Sequence, residues 1–394
     1  MSLFDDYQIQ PIINAKGSST RVSGGFLAPE VAAAMKQAGE HCFDMAELQA
    51  AASRVIADVT GAEAGIVTSG AAAGLLLGTA ACVAGLDPDK MSRLPDTTGM
   101  KNEVIMVRSQ RNFYDHAVRT AGVRIVEVGL PDRVAGAGVR DAEPWEIAAA
   151  INERTAAIMY VANANARPAL EEVARVANSQ HVPLIVDAAA QLPPASNLRR
   201  FIAAGADLVA FSGGKAIGGP QGSGILAGGR DLIMSAILQN LDLDIAWAQW
   251  SPPPSLIDKH RLVGIPPHGI GRTCKVGKET IFGLLTALRL FLADTDQQRH
   301  DRGLAHVRRI ASTAGSLRTA SGAIREGSLP RYVVTLAENC PLSGMEACVA
   351  LQNGTPPIHA DPSQAANGVI SFNPSCLREG DAEAIGRRLR ELFG

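Results

Sequence analysis

The sequence predicts an α/β fold, with a mostly parallel sheet in a large domain and a smaller α/β domain after it. Short apolar runs alternate with Ala-rich amphipathic stretches through the first part of the chain. Strands that alternate with amphipathic helices are typical of a parallel sheet covered by helices on both faces. The runs that we interpret as strands are 64–70, 102–108, 123–129, 156–163, 182–189, 207–214 and 222–229.

The chain divides into three predicted segments. Residues 1–45 form an N-terminal segment that we expect to pack on the small domain or on a partner subunit. Residues 46–272 contain all of these strands and form the large domain. Residues 273–394 form the small domain, which begins with a long apolar helix at 275–294 and ends with the helical stretch "DAEAIGRRLRELF".

Two segments between the strands lack a clear periodicity. Residues 87–103 are polar and turn-rich, and we interpret them as a surface or interface loop. Residues 246–272 are rich in Pro and Gly and are predicted to be irregular. Because long structureless loops in compact domains are usually functional or disordered, we expect residues 87–103 and the Pro- and Gly-rich part 251–272 to pack against a second subunit. A lid over their own domain is the alternative.

Composition excludes several classes of function. The 394 residues carry a net charge of −2, so no broad basic surface for nucleic acid is expected. No apolar run is long enough to span a bilayer, and the N-terminus lacks the features of a signal peptide. The six cysteines are scattered, with no CxxC pair, so we expect no metal site. These observations predict a cytoplasmic protein with reduced thiols.

Lys215 is the first candidate catalytic residue. It comes after the strand "DLVAFS" in the glycine-rich stretch "SGGKAIGGPQGSG". A lysine becomes a nucleophile that can form a Schiff base when desolvation lowers its pKa. The glycines before it, Gly213 and Gly214, would allow a bulky aldehyde to approach. An anion-binding lysine in a turn is the alternative.

Asp187 is the second candidate, at the end of the apolar run "VPLIVD". A carboxylate at the end of a buried strand needs a partner. A helix N-terminus or an Arg would serve, and so would a protonated ring nitrogen, which an Asp keeps cationic. The alanines after it, including Ala189, would let a flat ring lie against the backbone.

Further candidates lie after other strands. Ser69, Gly70 and Ala71 form a small-residue turn before a helix, where free amides and a hydroxyl could hold a phosphate. Ser212 could supply another hydroxyl. His116 could stack on a flat cofactor, although taken alone an ordinary surface histidine is the simpler interpretation.

Taken in order along the chain, these features resemble pyridoxal-phosphate enzymes of the aspartate-aminotransferase fold (fold type I). The stretches "IINAKGSSTRVSGG", "RNFYDHAVRTAG" and "GIGRTCKVGKE" are similar to the selenocysteine-synthase-like (L-seryl-tRNA selenium transferase-like) family. Within that family they resemble the branch that contains D-glucosaminate-6-phosphate ammonia-lyase. The resemblance implies pyridoxal 5'-phosphate as the cofactor, Lys215 as its Schiff-base lysine, and homo-oligomers with active sites shared between subunits.

The resemblance also implies contacts for which this chain departs from related patterns. Where desulfurase-like relatives place a polar residue three after the aspartate, this chain has Ala190, and Gln191 is next. We therefore expect Gln191, Asn163 or Asn165 to contact the cofactor. The arginine that binds a substrate carboxylate in many members is absent from "GVISFNP". Arg272, Arg21 or Arg378 are the candidates to replace it, and Arg272 could instead reach a phosphate across a dimer interface together with Lys275 and Lys278.

These expectations lead to a hypothesis about function. We expect a lyase that catalyses α,β-elimination, with release of ammonia, from a β-hydroxy or otherwise β-substituted amino acid or amino sugar acid. A racemase or an aldolase would use the same lysine and aspartate. A seryl-tRNA selenium transferase is the third alternative, and the charge balance and the short stretch before Asn14 argue against it.

Overall fold

The computed structural model describes residues 3–130 and 141–394. The strands are β1 (Ile13–Asn14), β2 (Ala64–Thr68), β3 (Glu103–Val107), β4 (Arg124–Val128), β5 (Thr155–Val161), β6 (Leu184–Asp187), β7 (Leu208–Ser212), β8 (Gly224–Gly228), β9 (Ala320–Arg325), β10 (Arg331–Leu336), β11 (Ile358–His359) and β12 (Val369–Phe372).

The helices alternate with these strands through most of the chain. They are α1 (Leu3–Asp6), α2 (Pro29–Gly39), α3 (Met45–Thr60), α4 (Ala71–Ala84), α5 (Pro88–Arg93), α6 (Asp115–Thr120), α7 (Pro144–Ala150), α8 (Leu170–Ser179), α9 (Asn197–Ala203), α10 (Arg230–Leu238), α11 (Lys278–Ala293), α12 (Asp296–Ala314), α13 (Gly344–Gln352) and α14 (Asp381–Phe393).

The chain forms two compact units. One is Leu27–Arg289, and the other combines the residues up to Phe26 with Leu290–Gly394. The domain boundaries that we placed at 45 and 272 stay a prediction.

The unit Leu27–Arg289 is built on a seven-stranded sheet in the order β2-β8-β7-β6-β5-β3-β4. Strand β8 is antiparallel to both of its neighbours, and every other pair in the sheet is parallel. The predicted α/β class is therefore confirmed. The central strands are buried along most of their length because helices cover them, which explains why their sequences read as continuous apolar runs.

Helix α4 closes the core on one face of the sheet. It is apolar on all sides and almost wholly buried. Gly74 and Gly78 lie against β7: a Cβ at Gly78 would stand 3.2 Å from Cδ1 of Leu208. These glycines let the helix approach the strand closely, and they fix the helix N-terminus at the edge of the sheet where the strands end.

Segment 87–103 differs from the predicted loop. Residues Pro88–Arg93 form α5, because Asp87 caps the helix by accepting hydrogen bonds from the N–H groups of Asp89 and Lys90. Met91, Leu94 and Met100 are buried in the core of their own unit. The segment therefore contributes to that core rather than forming a simple surface loop.

Segment 246–272 is irregular, as predicted, apart from two short 3-10 turns, Lys259–Arg261 and Ile270–Cys274. Trp250, Leu256 and Ile257 are nevertheless buried in the same core. These apolar residues thus pack on their own unit, whereas Trp247 and Val263 are exposed.

The other unit contains a three-stranded antiparallel sheet, β12-β10-β9, and a two-stranded parallel pair, β1-β11. Helices α12 and α14 pack on each other, and their core includes Val307, Ile310, Ile385 and Leu389. Ile13 joins that core through its pairing with Ile358. Among the described residues, no helix is long and apolar enough to cross a membrane.

Candidate active site

The start of β8 brings two of the predicted motifs together. Gly224 pairs with Thr68 on one side and with Ser212 on the other. The turn Ser69–Ala71 and the loop that carries Lys215 therefore leave the sheet on either side of this glycine. A Cβ at position 224 would stand 2.4 Å from the carbonyl carbon of Gly70, so only glycine fits there. Sequence reasoning missed Gly224, although a glycine within a strand pattern is a known sign of close backbone approach.

Asp187 and Lys215 lie on the same edge. Asp187 ends β6, where it aligns with Val161 of β5 and Ala210 of β7. Lys215 is separated from the end of β7 by a short turn. The parallel arrangement thus places both groups beyond the carboxyl ends of neighbouring strands, the usual position of ligand sites in such sheets.

Burial shifts the pKa values of both groups toward their neutral forms. Desolvation raises the pKa of Asp187, although the N–H of Ala189, 3.0 Å from its Oδ1, and the charge of Lys215 oppose the shift. Desolvation lowers the pKa of Lys215, against the attraction of Asp187. The lowered pKa makes the amine of Lys215 a better nucleophile and base near neutral pH than an exposed lysine.

The loop around Lys215 is tightly folded on itself. The N–H of Gly213 donates to the carbonyl of Ser223 at 2.9 Å, and the N–H of Gly219 donates to the carbonyl of Gly213 at 2.9 Å. A Cβ at Gly213 would stand 2.3 Å from Oγ of Ser223, and one at Gly214 would stand 2.6 Å from Cα of Gln221. These glycines therefore serve the packing of the loop, whereas the sequence suggested that they clear space around the amine.

The turn before α4 offers free amides at the same edge. Gly70 has a φ of 103°, a Cβ there would meet nothing within 4 Å, and no side chain caps the helix. The positive end of a 14-residue helix is therefore open to an anion. The hydroxyl of Ser69 donates to the carbonyl of Cys274 at 2.8 Å, and the hydroxyl of Thr68 donates to the carbonyl of Gly70 at 2.8 Å.

His116 lies in the first turn of α6 and is exposed. Its Nδ1 is 3.2 Å from Nη2 of Arg119. The loop before it presents Phe113 and Tyr114, which are 94% and 62% exposed. A flat side chain is thus available here, next to exposed aromatic rings.

The residues proposed to contact the cofactor beside Asp187 have distinct environments. Asn165 is exposed, and its N–H donates to Oδ1 of Asn163 at 2.9 Å. Gln191 and Asn163 line one cavity of about 290 Å³, together with Arg167 and Arg200. The backbone N–H of Ala189 donates a hydrogen bond to Oδ1 of Asp187, an interaction that does not depend on its side chain and so could not be predicted from the residue type.

The candidate arginines lie in different units. Arg272 belongs to the unit Leu27–Arg289, where its Nη2 donates to Oδ2 of Asp242 at 3.0 Å. It lines a cavity of about 470 Å³ together with Lys275 and Asp44. Arg21 and Arg378 belong to the other unit, where the guanidinium of Arg378 stacks 3.5 Å from the ring centroid of Phe26.

Comparison with known families shows to which family the chain belongs. The family model described as L-seryl-tRNA selenium transferase matches residues 27–244, which is more than half of the chain and includes Asp187 and Lys215. The chain belongs to this family.

Two curated relatives match almost the whole chain. A 5'-C-glycyluridine monooxygenase-decarboxylase from a Streptomyces species is 31% identical, over 98% of this chain and 90% of that protein. A D-glucosaminate-6-phosphate ammonia lyase from Salmonella typhimurium is 29% identical, over 99% of this chain and 98% of that protein. The family therefore includes members that are named for different reactions.

Solved structures agree with this assignment. A structure of D-glucosaminate-6-phosphate ammonia-lyase superposes with a TM-score of 0.81 at 28% identity, over 100% of this chain and 98% of that chain. The cysteine desulfurase CsdA of Escherichia coli gives a TM-score of 0.53 at 14% identity, over 97% and 94%, and shows the fold alone. The aspartate-aminotransferase-like fold and the branch that we recognised from the sequence are thus confirmed.

Proposed function

We propose that this member of the L-seryl-tRNA selenium transferase family is a pyridoxal-phosphate-dependent lyase. It would eliminate a β-substituent from a β-hydroxy or otherwise β-substituted amino acid or amino sugar acid, with release of ammonia. The observation that carries the proposal is the pairing of a desolvated Lys215 with Asp187 at one sheet edge, beside the uncapped N-terminus of α4. The name of the ammonia-lyase relative supports the reaction class.

The residues at this edge fit the cofactor chemically. Lys215 offers a nucleophilic amine for the aldehyde, and Asp187 offers an anionic partner for a protonated ring nitrogen. The amides of Gly70 and Ala71, with the hydroxyl of Ser212, would hold the phosphate, and the hydroxyl of Ser69 would join them by exchanging its bond to the carbonyl of Cys274 for one to a phosphate oxygen. His116 would lie on one face of the ring, with Ala189 near the other, and Gln191 or Asn165 near its phenolic oxygen.

The chemistry divides between the cofactor and the chain. When bound, pyridoxal phosphate supplies an electron sink for the pair left at Cα after proton loss. Lys215 removes the Cα proton as general base and returns a proton to the departing β-hydroxyl, which leaves as water. The unsaturated amine that is released takes up water and gives a keto acid and ammonia. Arg272 or Arg21 would orient the substrate's acidic group.

A selenium transferase is the competing function suggested by the family name. The balance of 37 basic and 39 acidic residues gives little attraction for a tRNA phosphate backbone. A gel shift with seryl-tRNA at low salt separates the two: specific retention of tRNA would favour the transferase.

We also propose a cytoplasmic homo-oligomer whose active sites are shared between subunits. The exposed rings of Phe113 and Tyr114 beside His116 support an interface near the site, because clustered exposed aromatic residues commonly mark protein contacts. The cysteines of the described residues are all free, which fits a reducing compartment.

The deciding experiment is a substrate panel. The purified enzyme is incubated with D- and L-β-hydroxy amino acids and with D-glucosaminate 6-phosphate, and keto acid and ammonia are quantified. Equal amounts of both products, absent with Lys215→Ala, would support the lyase. Inversion at Cα without ammonia would instead identify a racemase, and release of an aldehyde an aldolase.

A further inference from the structure

The loop after β1 carries two cations without an acidic partner. Lys16 is half-buried and Arg21 is exposed. Within residues 3–130 and 141–394, neither forms an ion pair with a carboxylate. The nearby acid Asp361 is engaged elsewhere, since its Oδ2 lies 3.1 Å from Nη1 of Arg331. Two positive charges are thus held on one short loop, and among the described residues no carboxylate forms an ion pair with either.

Asn14 holds this loop in a defined conformation. Its Nδ2 donates to the carbonyls of Gly17 at 3.0 Å and Gly24 at 2.7 Å, and its Oδ1 accepts from the N–H of Lys16 at 3.1 Å. The N–H of Asn373 donates to the carbonyl of Ala15 at 2.7 Å. These hydrogen bonds fix the backbone of the loop, so the two cationic residues are held at defined positions.

His359 lies next to these cations, in the strand paired with β1. It aligns with Asn14, and its Nδ1 is buried without a hydrogen-bond partner among the described residues. Burial, followed by the charges of Arg21 and Lys16, lowers the pKa of His359. The loop that carries both cations and the strand that carries His359 are therefore neighbours, and both positive charges act on the histidine ring.

We propose that Lys16 and Arg21, with His359 at the base, form a binding site for the phosphate group of a phosphate monoester. A phosphate monoester carries between one and two negative charges near neutral pH, which matches two cations better than a single carboxylate does. The planar guanidinium of Arg21 suits two phosphate oxygens at once, and the ammonium of Lys16 adds a point charge. The inference rests on this unit's own residues and does not require the proposed lyase reaction.

The test uses the holoenzyme and inorganic phosphate as the probe. The chain has eight histidines, so the ring resonances of His359 can be assigned in histidine-labelled protein by comparison with His359→Gln. We expect phosphate to raise the pKa of His359, because the bound anion offsets the two neighbouring cations. Arg21→Gln and Lys16→Gln should each weaken phosphate binding about tenfold, measured by calorimetry.

Arg308→Gln is the matched control, since Arg308 is exposed on α12 of the same unit and its loss changes the net charge equally. Its phosphate affinity should stay within about twofold of wild type. The proposal fails if phosphate leaves the His359 resonances unmoved, if the control weakens binding as much as Arg21→Gln, or if acetate at equal ionic strength produces the same response. Because binding is measured without turnover, these results test the phosphate site by itself, and the lyase reaction stands or falls separately on the substrate panel.

Discussion

The carboxylate of Asp187 and the amine of Lys215 lie beyond the ends of two adjacent parallel strands, and each stabilises the charged form of the other. Burial acts in the opposite direction on both, raising the pKa of the acid and lowering that of the amine. Perturbed pKa values of this kind, caused by burial and by a specific charged partner, are typical of functional sites.

Asp187→Asn should reduce elimination by several orders of magnitude with the fold intact, because the amide cannot hold a ring nitrogen in its protonated form. Asp207→Asn is the control: desolvation raises the pKa of Asp207 as it does that of Asp187, but Asp207 is more exposed, precedes β7 at the opposite edge and accepts from the N–H of Leu184 at 2.7 Å. Its activity per folded molecule should stay near wild type. An Asp187→Asn rate within about tenfold of wild type, or about 1.4 kcal/mol in barrier, would exclude the proposed role.

Borohydride should fix the cofactor to the peptide that contains Lys215. The reason is the burial that lowers the pKa of this amine and so favours its attack on an aldehyde. Peptide mapping by mass spectrometry gives the position of the label. Lys215→Ala should abolish labelling and Lys278→Ala should retain it, and a label on any other lysine would refute the assignment.

The desolvation of Asp187 should make the stability of the cofactor-free protein depend on pH. A carboxyl whose pKa is raised by folding favours the folded state below its ordinary value of 3.8, and that contribution is lost as the pH rises through the folded value. Asp187→Asn should therefore gain stability relative to wild type between about pH 4 and pH 7 in denaturant titrations.

Asp242→Asn provides a control of opposite sign for that measurement. Hydrogen bonds from the N–H of Asp244 and from Arg272 lower the pKa of Asp242, so its contribution is present above 3.8 and is lost in acid. The variant should lose stability relative to wild type as the pH rises. The same trend for both variants would show that the pH effect is not local to Asp187.

Gly213→Ala should destabilise the protein by about 1–3 kcal/mol through overpacking, since the new methyl would stand 2.3 Å from Oγ of Ser223 and 2.5 Å from Cδ1 of Leu284. Gly222→Ala in the same loop meets nothing within 4 Å and should change little. Denaturant unfolding compares the two. Equal stability would indicate that the loop relaxes to accept the methyl group and that packing does not require glycine there.

Mixing Lys215→Ala with Arg272→Ala should restore activity if sites are shared, because one site in each mixed dimer would keep both residues. The alternative is that Arg272 serves the site of its own chain. The hydroxyl of Ser69 donates to the carbonyl of Cys274, two residues after Arg272, and this bond ties the Arg272 segment to the turn before α4 of the same chain. Inactive single variants, demonstrated subunit exchange and no recovered activity would establish that Arg272 acts in its own chain.

The strands and the edge that gathers Asp187 and Lys215 could be predicted because each strand is a local apolar run with a polar or small residue after it. Helix α5 was missed because it is short and mostly polar, with Met91 as its single buried residue, so its sequence resembles a turn. The role of Gly213 could not be predicted, since its neighbours Ser223 and Leu284 meet it only after folding. The pairing of Ile13 with Ile358 has no local signal at all.

The pairing of Ile13 with Ile358 constrains the order in which the parts of the chain can fold during synthesis. The stretch Leu27–Arg289 is continuous and can fold while the ribosome is still synthesising later residues, whereas the other unit needs residues from both sides of that stretch. Strand β1 must therefore wait, unpaired, until β11 has been translated. Newly made chains should be most exposed to proteases and chaperones at this early segment, and a truncation after residue 350 should leave a folded core with an unanchored N-terminal tail.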